Sequence, residues 1–119
     1  MAYNYELQGL KILARLVLMA QEQKGWSRKQ MARQAGIADG TIKNIEKNLE
    51  LAEGATPHEP SIATLEMLAP QLTNPQTGDP FTGDELYQLC KGRLEIPEEL
   101  LGPTNADNTR NSIENGRFK

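Results

Sequence analysis

Six cations fall between Lys24 and Lys47: Lys24, Arg28, Lys29, Arg33, Lys43 and Lys47. They stand against two carboxylates, Asp39 and Glu46. A lysine or arginine can pair with a phosphate or reach guanine, and the carboxamide of an asparagine such as Asn44 can pair with adenine. The remainder of the chain has the opposite balance. Residues 1–23 sum to zero, residues 48–119 hold five basic and twelve acidic groups, and the net charge is −3. A basic segment inside an acidic chain is a local electrostatic footprint, not the signature of a generic polyanion coat. The plainer reading of the same residues is a solvated pair of helices that carries positive charge, and Arg33 in particular suits that role.

Other chemistry has few residues to work with. His58 is the only histidine and lies in LELAEGATPHEP, with no cysteine or second histidine nearby. Cys90 is the only cysteine, so no internal disulfide can form. Its setting, LYQLCKG, is apolar and helical, which suits a small core residue better than a nucleophile. The stretch GDPFTGDE holds three carboxylates, but its glycines and proline break regular spacing, and the ligand alternation of a calcium loop is absent. No glycine-rich loop is built to cradle a phosphate. The chain is therefore expected to be no enzyme and to need no cofactor and no metal. No run approaches the roughly 18 apolar residues that span a bilayer. MAYNYELQG does not read as a secretory leader. A cytoplasmic, nucleoid-associated protein with no membrane contact is expected.

The elements that must position the cations follow from periodicity. With 119 residues, 38% hydrophobic and 5% aromatic, the chain predicts one aliphatic, all-α core. Residues 7–23 form a first helix, with Leu10, Leu13, Val17 and Ala20 recurring at helical steps and Leu7, Leu16 and Met19 widening the stripe. Lys24-Gly25 ends it, and Trp26 plugs the corner to the next helix. Ser27 and Gln30 make a capping box for a second helix reaching about Ala35, with Met31, Ala32 and Ala35 inward. Gly36 makes the turn, where a positive φ costs glycine nothing, and Ile37 anchors it. A third helix spans 39–48, with Ile42 and Ile45 inward and Gly40, Lys43, Asn44 and Lys47 on other faces.

Residues 49–60 read as a long polar loop of the kind that is functional or mobile. Ser61 caps a fourth helix, with Ile62, Leu65, Leu68, Ala69 and Leu72 as its apolar stripe and Pro70 kinking or stopping its last turn. A turn-rich loop leads to a short fifth helix over 84–91. Leu94, Ile96, Leu100 and Leu101 then either close the core or supply a dimer contact. The sequence thus divides into residues 1–72, a helical extension over 73–102, and a disordered tail over 103–119.

The stretch Trp26–Leu72 resembles the Cro/C1-type helix-turn-helix domain, the XRE family of phage repressors and bacterial regulators. The resemblance rests on Met31-Ala32, Ala35-Gly36-Ile37, Thr41-Ile42, Ile45-Glu46, and a proline-preceded fourth helix with Leu65 and Leu68-Ala69. It implies a five-helix, phage-repressor-like domain whose third helix enters the DNA major groove and whose second helix rests on the backbone. Carried onto this chain, it places Arg28 at a phosphate, with Ser27 and Lys29 beside it among the DNA-binding residues. Ala38, Asp39, Gly40 and Asn44 face bases, Thr41 sits at a phosphate or half buried, and Lys43 and Lys47 make backbone or flanking contacts. Asp39 could accept from cytosine N4 where the family often has an uncharged residue. Gly40 supplies no side chain, and the loop over 49–60 is longer than the family's. Glu46 is expected to cap or pair within the motif, and Trp26 to be core.

Two functions of different class follow. The first is a DNA-binding transcriptional regulator, a homodimer on double-stranded DNA with 81–101 as its dimer segment. The second is a protein-interaction module that keeps the helix-turn-helix and docks a protein partner through the acidic C-terminal region. It would then be an antitoxin or a small accessory subunit of a DNA-processing complex.

Overall fold

The computed structural model describes residues 4–52 and 54–101. It is all-helical, with α1 over Leu7–Lys24, α2 over Arg28–Ala35, α3 over Asp39–Lys47, α4 over Ile62–Leu68 and α5 over Gly83–Cys90. Short 3-10 turns follow α3 (Asn48–Glu50), follow α4 (Ala69–Gln71) and close the described chain (Glu98–Leu100). Among the described residues the only β pairing is an isolated antiparallel bridge, Thr73 to Pro80. None of their helices is long and apolar enough to cross a membrane. The tail expected over 103–119 lies outside the described residues.

Local chemistry sets the boundaries. The Ser27 side chain accepts from the Gln30 backbone while Gln30 returns a bond to the Ser27 N–H, so α2 starts on a complete capping box. Thr82 and Glu85 repeat the device for α5, and Ser61 caps α4 by accepting from Thr64. Gly36 ends α2 at φ +79°, a left-handed conformation that turns the chain into α3 at little steric cost. Pro70 lies in the 3-10 turn after Leu68, where its ring ends the α-helical ladder.

One core joins every helix. Leu10, Leu13, Leu16 and Val17 of α1 pack with Met31, Ile42, Ile45, Leu65, Leu68 and Leu72, and Phe81, Leu86, Leu89, Cys90, Ile96 and Leu101 belong to the same buried cluster. The segment that follows Leu72 therefore shares its core with the four helices before it. Of the apolar residues that end the described chain, Ile96 and Leu101 are buried, Leu94 is half buried and Leu100 is exposed. Ile62 was expected on the inward stripe of α4 but is 44% exposed, so the buried stripe begins at Leu65.

Gly9 allows α1 and α5 to touch. A Cβ there would stand 2.2 Å from the Leu89 carbonyl oxygen. The join is reinforced by Glu6 N–H donating to the Cys90 carbonyl at 2.7 Å and by edge-on packing of the Tyr5 and Tyr87 rings. Arg15 of α1 grips both carboxylate oxygens of Glu98, the longer bond at 2.8 Å, and so ties the last 3-10 turn to the first helix.

Candidate nucleic-acid interface

Successive α-helical residues are rotated by about 100°, so positions three, four and seven apart share a face. In α3 this sorts the side chains cleanly. Ile42 and Ile45 are buried. Gly40, Lys43, Asn44 and Lys47 are all exposed and form the outward face. The structure thus brings together four of the residues singled out from the sequence, with no carboxylate among them.

Asp39 and Glu46 lie to one side of that face, toward α1 and α2. Glu46 accepts from Gln21 Nε2 of α1 at 2.8 Å through Oε2, and from Arg28 of α2 at 3.3 Å through Oε1. Its side chain is only 15% exposed. Glu46 therefore buttresses three helices, as expected of a residue that pairs within the motif. Arg28 is engaged by this carboxylate yet keeps 41% of its side chain exposed, so it remains at the surface. Asp39 is half buried, and its Oδ1 is enclosed without a hydrogen-bond partner among the described residues.

The remaining candidates frame the face. Ala38 is exposed just ahead of α3, Lys29 is exposed on α2, and Ser27 commits its hydroxyl oxygen to the helix cap. Thr41 is half buried on the opposite flank from Glu46. It lines an open polar cleft of about 290 Å³, together with Asn44, His58, Glu59, Ser61 and Thr64. Arg33 is exposed. Lys24 is drawn away from the group, donating to the Gln71 carbonyl at 3.0 Å and lying 4.7 Å from the centre of the half-buried Trp26 ring.

Asn48 is the residue that sequence reasoning missed. It is fully buried, donates from Nδ2 to the His58 carbonyl and accepts the His58 backbone N–H at Oδ1, both at 2.9 Å. A carboxamide satisfied on both sides can lie in a core without the cost of an orphaned polar group. It pins the far end of the long polar loop against the end of α3, and so fixes His58, which lines the cleft with Asn44. A signal was present: Asn48 is three residues beyond Ile45, in register with the buried stripe, where a polar side chain must find partners.

Cys90 is buried, and burial pushes its thiol up from 9.0 to about 12, so it stays protonated and unreactive. No protein-family model, no curated protein and no solved structure matches the chain.

Proposed function

We propose that the chain is a DNA-binding protein of the helix-turn-helix type, similar to the XRE regulators, that inserts α3 into the major groove and acts in transcriptional control. The observation that carries this reading is the outward face of α3. Lys43, Asn44 and Lys47 are exposed together, while the nearby carboxylates are turned aside, Glu46 onto Gln21 and Arg28. Amines at both ends of the face suit phosphates or guanine, and Asn44 between them suits an adenine edge. Lys29 and Arg28, at the start of α2, extend the positive surface toward the flanking backbone. A homodimer would double the short site that one helix can read.

The test is a gel shift at physiological salt with duplexes recovered from a randomised pool. Lys43→Ala combined with Asn44→Ala abolishes selective binding while the helical circular-dichroism signal persists. Unchanged affinity in the double variant refutes the assignment.

A second reading, a protein-docking module, is favoured by two exposed apolar side chains on α4, Ile62 at 44% and Met67 at 47%. Glu66 lies exposed between them. Under that reading the chain co-purifies with one stoichiometric protein and, once separated from it, has no affinity for DNA on its own. The two readings are compatible where a partner and a duplex occupy different faces.

A further inference from the structure

Three large apolar side chains are exposed among the described residues, and two of them, Ile62 and Met67, belong to α4. In the segment 81–101, by contrast, Ile96 and Leu101 are buried in the monomer's own core. Ala63, Met67 and Pro70 follow one another at steps of four and three, so they share a face, and all three are exposed. Pro70 belongs to the 3-10 turn that prolongs α4. With Ile62 beside them they make an apolar strip along the solvent side of α4.

The two sides of this strip carry opposite charge. On the α5 side lies Glu66, packed so closely on Gly83 that a Cβ there would stand 2.6 Å from its Cγ. Asp84 and Glu85 follow in the first turn of α5. On the α2 side, Met67 Cε lies 3.6 Å from where a Cβ of Gly36 would stand, and the Gly36 N–H donates to the Arg33 carbonyl. Arg33 is exposed there. Lys24 adds a second cation by donating to the Gln71 carbonyl, next to Pro70. An isologous dimer needs one patch that complements itself. A two-fold axis in the plane of contact and parallel to α4 sets each charged rim against the opposite rim of a second copy. An axis across α4 sets like against like, which the charges oppose. We infer that α4 is the contact of a homodimer in which the two α4 helices pack face to face and parallel, with Glu66 of each copy opposite Arg33 of the other. The strip is short, so the association belongs to the weak, transient class of interfaces. The contact uses none of the α3 face and needs no DNA.

The experiment is sedimentation equilibrium of the full chain, without nucleic acid, over a wide range of concentration. The wild type should pass from monomer to dimer. Met67→Lys, which places a charge in the centre of the strip, should raise the dissociation constant by roughly tenfold or more. Glu66→Lys and Arg33→Glu should each weaken the dimer, and the double variant should regain affinity, because the opposed pair is restored with its signs exchanged. Under mild oxidation Ala63→Cys should form a disulfide-linked dimer, since a parallel two-fold brings equivalent positions together. Cys90 is buried and takes no part. An unchanged helical circular-dichroism signal and melting temperature in each variant separate lost association from lost folding. A chain that stays monomeric at every concentration overturns the inference and leaves the strip to a different protein. A dimer indifferent to Met67→Lys overturns it by placing the contact elsewhere. A dimer that Met67→Lys breaks, but that the double charge variant fails to restore and Ala63→Cys fails to link, overturns the parallel pairing.

Discussion

The carboxamide of Asn48 closes a two-bond ring with the backbone of His58, ten residues on, with both contacts at 2.9 Å. This clamp turns the end of a polar connection into a fixed wall beside α3. It makes the position of His58, Glu59 and Ser61 relative to Asn44 a property of the fold.

Asn48→Ala should therefore destabilise the protein by about 1–3 kcal/mol, since the backbone groups of His58 lose their partner. Asn48→Asp should cost at least as much, because a carboxylate cannot donate to the His58 carbonyl. Urea denaturation gives the magnitude. Amide hydrogen exchange at His58 should accelerate before that of the α1 core, which separates loop release from global unfolding.

The contact of α1 with α5 predicts a second loss. Gly9→Ala would drive a Cβ to within 2.2 Å of the Leu89 carbonyl oxygen, and backbone must yield. A cost of about 1–3 kcal/mol is expected from overpacking. Thermal unfolding should show it. Gln8→Ala, at the exposed neighbouring position, should leave the melting temperature within a degree or two of the wild type.

Burial of Cys90 sets both a reactivity and a pH dependence. Its folded pKa is raised from 9.0 to about 12. The contribution to stability is therefore present in full below pH 9 and is lost as pH rises toward 12, because only the unfolded thiol ionises in that window. A chromogenic disulfide reagent at pH 8 should label the unfolded chain rapidly and the native chain only at the rate of opening. Cys90→Ala should flatten the alkaline fall in stability contributed by this group.

The ion pair of Arg28 with Glu46 makes a prediction about binding. Glu46→Gln keeps an acceptor for Gln21 and removes the charge that competes with phosphate for Arg28. The variant should bind a duplex more tightly, with a salt slope steeper by up to about one counterion. Adding Arg28→Ala should return the slope. Equal slopes in Glu46→Gln and wild type would mean that Arg28 takes no part.

How far the sequence reached depends on which interactions are local. Helix limits, the capping box at Ser27, the turn at Gly36 and the exposed face of α3 all follow from side chains within one or two turns of each other, and each was legible. The pairing of Glu46 within the motif was legible too, since a carboxylate next to Ile45 must sit close to the helices it packs on. The clamp on His58 was not, because Asn48 meets a loop whose return path no periodicity records. Nor was the need for Gly9, which arises only where α1 meets a helix some eighty residues away. The apolar residues near the end of the described chain were ambiguous for the same reason: Ile96 and Leu101 fill the monomer's own core, a partner choice that composition cannot express.

The salt dependence of duplex affinity tests the proposal most directly. Anisotropy of a labelled random-sequence duplex, measured from about 50 to 200 mM salt, should show the logarithm of the association constant falling linearly against the logarithm of salt, with a slope reflecting several phosphate contacts. Lys47→Ala should make that slope shallower by about one. A duplex affinity that is absent at the lowest salt, or a slope near zero that Lys47→Ala leaves unchanged, would contradict a DNA-binding role for α3.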